Sequence, residues 1–97
     1  MAAYVVVDVE VLDPENYRAY TQAVPATLAL FGGRFLVRGG ATEPLEGAWN
    51  PKRAVLLEFP DVDQARAWHA SPEYQTILPI RLRYARTNFM TILEGVE

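Results

Sequence analysis

A single histidine, His69, stands next to Trp68, and the chain has no cysteine. Acid–base work near neutral pH, or ligation of a haem iron, would therefore rest on one imidazole, since histidine alone titrates in that range without help. Adjacent helical residues point about 100° apart, so Trp68 and His69 do not share one face squarely. A structural or solvent-exposed histidine is the favoured reading. Tyr17, Tyr20, Trp68 and Tyr74 could line a pocket in which aromatic bodies hold an organic ligand and hydroxyls orient it. The same four would serve as an aromatic core with capped hydroxyls, and core packing has the advantage. Arg38 and Glu58 have equivalent parity on strands that could be neighbours. As a pair they could anchor a carboxylate or make Glu58 a base, though an interface salt bridge accounts for them more simply. Arg81 could meet an anionic ligand; exposure, or pairing with Glu73, is the simpler role. Scattered carboxylates around one histidine have no zinc spacing and form no calcium loop, so no metal is expected. The glycine pairs make no dinucleotide or phosphate motif, and no cofactor is expected. Without cysteine there are no disulfides, thiolate nucleophiles or sulfur-ligated clusters.

The elements that must position these residues are marked by their ends. Residues 3–12 alternate as a strand, with Val5, Val7, Val9 and Val11 on one side. Asp13-Pro14-Glu15 starts a helix, with an N-cap, a proline at the first position and an acidic first turn. That helix carries Tyr17, Tyr20, Val24, Leu28 and Phe31 as a stripe, should kink at Pro25, and ends at Gly32-Gly33. Residues 34–38 read as a second strand, 41–52 as a loop holding Trp49, and 53–59 as a third strand. Asp61 caps the next helix. Ser71-Pro72 stops it, because a residue before proline is pushed out of the helical region, and then starts another helix punctuated by Pro79. Thr87 to Glu94 is a last strand. The order β-α-β-β-α-β with right-handed crossovers gives a four-stranded antiparallel sheet with its helices on one face. This is the ferredoxin-like α+β arrangement, as one domain over residues 1–97.

Alternation leaves both faces of that sheet apolar. Val5, Val7, Val9 and Val11, with Phe35, Val37, Val55, Leu57 and Phe59, form the side beneath the helices. The other side holds Tyr4, Val6, Leu36, Leu56, Met90 and Ile92, with Asp8, Glu10, Arg34, Arg38 and Glu58 among them. A solvent-facing sheet is normally more polar, and contiguous apolar area marks an interface. A homodimer through the sheet faces is expected, in keeping with a hydrophobic share of 51%. Nine basic against twelve acidic residues give a net charge of -3, which argues against nucleic acid as a partner. The longest uncharged run, Ala19 to Gly33, is too short and too polar for a bilayer. No basic region precedes the first apolar stretch, and a cytoplasmic protein without a membrane partner is the expectation.

Several unrelated spacings together resemble domain-of-unknown-function family 1330, within the dimeric α+β barrel superfamily. They are Asp13 with Tyr17; Gly33-Arg34-Phe35-Leu36-Val37-Arg38-Gly39-Gly40; Leu45-Glu46-Gly47 with Trp49; Phe59-Pro60-Asp61 leading to Ala65, Trp68, Ser71-Pro72-Glu73-Tyr74-Gln75 and Arg81; and the closing Leu93-Glu94-Gly95. Position 69 is histidine where the family looks tyrosine-like, so no family role is carried to it. The resemblance implies the ferredoxin-like dimer and supplies no reaction. Two functions stay open. One is a small cofactor-independent enzyme acting on a small organic acid or aromatic in a helix–sheet pocket. The other is a non-catalytic ligand-binding or structural dimer. The first expects an ionisable group meeting tyrosine hydroxyls at a cavity; the second expects Tyr17, Trp68 and Tyr74 to fill that space.

Overall fold

The computed structural model describes residues 1–96. Its elements are β1 (Ala3–Val11), α1 (Pro14–Ala29), β2 (Arg34–Arg38), β3 (Arg53–Phe59), α2 (Val62–Ala70), α3 (Pro72–Tyr84) and β4 (Ala85–Glu94). The strands form one antiparallel sheet in the order β2-β3-β1-β4. Val5, Val7 and Val9 of β1 are buried with Leu57 and Phe59 of β3, against Tyr17, Tyr20 and Val24 of α1 and Trp68 of α2. None of the helices among the described residues is long and apolar enough to cross a membrane.

The helix starts are made by the side chains that the spacing singles out. The Asp13 carboxylate accepts from the Asn16 backbone N–H (3.2 Å) and from Asn16 Nδ2 (2.7 Å). Asp61 accepts from the Gln64 N–H at 2.8 Å. Ser71 works on two helices at once: its hydroxyl donates to the Trp68 carbonyl (2.7 Å) and accepts from the Tyr74 N–H (3.2 Å). Orphan groups at both helix ends are thereby satisfied. α1 continues through Pro25. Proline has no N–H to give the carbonyl four residues back, which is that of Thr21. Arg38 Nη2 donates to that oxygen instead, at 2.5 Å.

Two bulges correct the expected sheet faces. Residues directly opposite in a ladder share a face. Phe35 pairs with Leu57 and Val37 with Leu56, so Leu36 is an inserted residue and the parity of β2 reverses after it. Val37 therefore lies on the outer face, away from the helices, and Arg38 opposes Val55 on the helix face. On β4, Phe89 pairs with Asp8 and Thr87 with Val9, which leaves Asn88 as the inserted residue. Met90 and Ile92 oppose Val7 and Val5 and so lie beneath the helices, the reverse of the expectation, while Phe89 and Leu93 face outward and are exposed.

Among the described residues, the outer face has one buried carboxylate. Asp8, 7% exposed, accepts from Trp49 Nε1 (2.9 Å) and Asn88 Nδ2 (3.2 Å). Trp49 thereby lays the loop between β2 and β3 across the sheet, with its ring 6.1 Å from that of Phe89.

Candidate functional site

The helix-covered side of the sheet gathers the aromatic candidates. Tyr17 and Tyr20 stack at 5.1 Å. Tyr20 meets Tyr74 edge to face, and their hydroxyls share a hydrogen bond of 2.7 Å. Trp68 lies 4.2 Å from the Tyr74 ring and 5.4 Å from Phe59. Its indole N–H donates to Thr27 Oγ1 at 3.0 Å. Burial and the neighbouring Tyr74 push the Tyr20 phenol far upward. Tyr17 is raised by burial, against the pull of the Arg81 and Arg53 charges. Neither phenol is a base near neutral pH.

Into this group α3 inserts Arg81, seven residues after Tyr74 and hence on the same side of the helix. Arg81 is 5% exposed. Nε donates to the Tyr74 hydroxyl (3.3 Å), Nη1 to Thr87 Oγ1, and Nη2 reaches only the Met90 sulfur at 3.9 Å. Burial alone would lower its pKa, but the oxygens of Tyr74, Tyr20 and Tyr17 outweigh that and the net shift is upward. The guanidinium is therefore charged. It is neither exposed nor paired with Glu73: among the described residues, no carboxylate lies within ion-pairing distance of it. Buried charges are ordinarily paired, because desolvation of a lone ion costs several kcal/mol. A thioether is a weak acceptor, and it occupies the place where a carboxylate oxygen would bond better.

Two spaces meet at Arg81. A cavity of about 30 Å³, room for roughly one or two waters, lies between α1 and the sheet and is walled by Tyr17, Tyr20, Trp68, Arg81 and Met90. A groove of about 380 Å³ runs between α2 and β4 and is lined by Trp68, His69, Arg81, Thr87 and Met90. Trp68, Arg81 and Met90 are common to both. His69 is exposed at the groove, its ring 5.4 Å from that of Tyr74. Partial burial, then the charge of Arg81, hold its pKa below the ordinary 6.5. It is a neutral imidazole beside a fixed cation at pH 7.

The remaining candidates lie elsewhere. Arg38 and Glu58 do not pair, because the bulge at Leu36 turns them to opposite faces. Arg38 is held by the Thr21 carbonyl with its guanidinium 4.3 Å over the Phe35 ring. Glu58 is on the outer face in an ion pair with Arg34, at 2.7 Å. Thr87 and Met90 complete the Arg81 environment without having stood out in the sequence. Arg53, which did not stand out either, lines another part of the cavity wall, and its alternation with Val55 and Leu57 already places it on the helix side. No group of three or more potential metal ligands occurs among the described residues.

A four-stranded antiparallel sheet in this order, with helices on one face and a pocket between the layers, defines a ferredoxin-like α+β protein. Residues 2–96 match the family described as Domain of unknown function (DUF1330), and the chain belongs to it. No curated protein matches. Among solved structures, a protein of unknown function from Rhodopseudomonas palustris is similar, with a TM-score of 0.74 at 16% identity, covering 99% of this chain and 83% of that one. A dimeric ferredoxin-like protein of unknown function from Jannaschia sp. CCS1 has a TM-score of 0.72 at 16% identity, covering 98% and 100%. SnoaB, a cofactor-independent oxygenase from Streptomyces nogalater, has a TM-score of 0.65 at 14% identity, covering 99% and 94%. At such identities the likeness is one of fold.

Proposed function

We propose that this chain forms a sheet-to-sheet homodimer and is a small cofactor-independent enzyme acting on an organic acid bound between helices and sheet. The observation that carries this reading is Arg81, a buried guanidinium with no carboxylate partner among the described residues, standing at the wall of a cavity and a groove. A carboxylate entering by the groove takes over Nη2 from the Met90 sulfur, and Trp68 offers the apolar surface an aromatic or aliphatic body needs. His69 is the group placed for proton transfer. A proton leaves an acidic C–H or O–H of the bound acid for the neutral imidazole, and the negative charge left on the substrate is held by Arg81. The oxygenase activity described for the Streptomyces nogalater neighbour supports a fold that can act without a cofactor. Exposed Val37, Phe89 and Leu93 on the outer face, and the dimers described for several neighbours, support the homodimer.

The test is calorimetric titration of benzoate, phenylacetate and hexanoate into the parent and Arg81→Met, with circular dichroism to show that both fold. Charge-assisted hydrogen bonds contribute about 1.5–3 kcal/mol, so affinity should fall roughly 10- to 100-fold in the variant. Equal affinity would overturn the reading. A second reading, a non-catalytic ligand-binding or structural dimer, draws on how fully the tyrosines and Trp68 fill the interior, leaving about 30 Å³. For any turnover found, a loss of less than tenfold in His69→Ala returns that residue to structure.

A further inference from the structure

The cavity beside Arg81 has a second cation at another part of its wall. Arg53, on β3, lines the same cavity, and Tyr17 feels the positive charge of both arginines. Arg53 also lines a cleft of about 330 Å³ at the start of α1, together with Tyr17, Arg18 and Thr21. Groove, cavity and cleft are thus linked by shared walls: Trp68, Arg81 and Met90 join the first two, and Tyr17, Thr21 and Arg53 join the last two.

Among the described residues, neither Arg53 nor Arg18 has a carboxylate within ion-pairing distance. Glu10, which shares a surface hollow with Arg53, is held by Arg86 at 2.6 Å. The backbone is shaped to seat the Arg53 side chain. Gly39 has φ 72°, and a Cβ there would run into the guanidinium. In a chain of net charge -3, two unpaired arginines on one apolar cavity are an arrangement that like-charge repulsion disfavours unless anions come between them and solvent.

We infer that Arg53, with Arg18 beside it, forms a second anion subsite, and that the ligand is an elongated organic dianion with an apolar middle lying across Tyr17. This rests on the reading of Arg81 as the first carboxylate anchor and names the substrate class for that same site. The middle of such a ligand exceeds a cavity of about 30 Å³. Room comes from Met90, an unbranched side chain with three rotatable bonds, whose one side-chain hydrogen-bonding contact among the described residues is the 3.9 Å one to Arg81.

Linear α,ω-dicarboxylates from succinate to sebacate are titrated beside the monocarboxylates of equal length, with the parent, Arg53→Met and Arg81→Met. One length should bind the parent at least about tenfold tighter as diacid than as monoacid. Arg53→Met should erase that advantage and leave monoacid affinity unchanged, Arg53→Lys should restore part of it, and Arg81→Met should weaken both series. Monoacid binding that depends on Arg81, with no diacid advantage at any length, overturns the second subsite and leaves the first standing. A diacid advantage that survives Arg53→Met overturns it as well. Absence of binding by both series overturns the two readings together.

Discussion

The two faces of the sheet treat their cations in opposite ways. On the outer face each arginine has a carboxylate directly across the ladder: Arg34 with Glu58 at 2.7 Å and Arg86 with Glu10 at 2.6 Å. Beneath the helices, where solvent is scarcer, Arg81 and Arg53 have none among the described residues. Desolvation alone predicts the reverse, since an isolated charge is costliest where water is least available. The outer pattern suits a face to be covered by a second copy of the same chain, where unmatched charge would oppose association. The inner pattern is the one that the proposed anionic ligand would complete. Arg38 is the exception that clarifies the rule. It is also on the helix side, but its charge is spent on a carbonyl that Pro25 leaves without a donor.

The contrast can be broken most decisively at Leu56, which opposes Val6 and Val37 in the middle of the outer face. Leu56→Glu places an unmatched carboxylate there. Size-exclusion chromatography with light scattering should give a dimer for the parent at micromolar concentration and a monomer for the variant. A parent already monomeric at that concentration ends the interface reading.

A smaller effect separates Arg38 from its inner neighbours. Arg38→Ala should lower stability by about 1 kcal/mol, or roughly 4–8 °C in melting temperature for a domain of this size. In a Pro25→Ala background the helix supplies its own N–H to Thr21, and the same change should cost much less. Equal costs in both backgrounds would mean that Arg38 acts through its contact with Phe35 instead.

The smallest effect is the titration of the single histidine, readable by proton NMR. In the folded chain His69 should titrate below 6.5, because burial and Arg81 disfavour its charged form. The unfolded chain then binds more protons just below that pH, so stability contributed by neutral His69 is present above 6.5 and lost as pH falls through the folded value. A carboxylate bound at Arg81 cancels part of the repulsion and should move the titration back upward. An unmoved titration under saturating benzoate would place the acid away from His69.

The elements were legible because their ends are chemical. Asp13-Pro14, Asp61 and Ser71-Pro72 each satisfy or remove specific backbone groups, and those needs are local. The face assignments of Val37, Arg38, Met90 and Ile92 were not legible, because a single inserted residue at Leu36 or Asn88 reverses parity without altering composition. β4 carries apolar residues at both parities, so alternation there had nothing to choose between. The tyrosines could be grouped from the sequence, whereas Arg81 reads there more simply as exposed or paired with Glu73, although Tyr74 and Arg81 lie two turns apart on one helix. What spacing does not contain is partnership: that Arg81 lacks a carboxylate depends on every residue the fold brings near it. The Arg38 contact had a signal available, for proline within a helix always frees a carbonyl four residues back. Which residue answers it is tertiary information.

Ser71 carries a consequence for how this site could be retuned. One hydroxyl ends the helix bearing His69 and begins the helix bearing Arg81. The angle between the proposed proton acceptor and the proposed anion anchor therefore turns on a joint of one residue, two positions after His69 and ten before Arg81. Altering that joint would change the register between the proposed base and the proposed anchor while leaving each chemically intact, and under the proposed function it should shift selectivity among acids of different length without rebuilding the pocket.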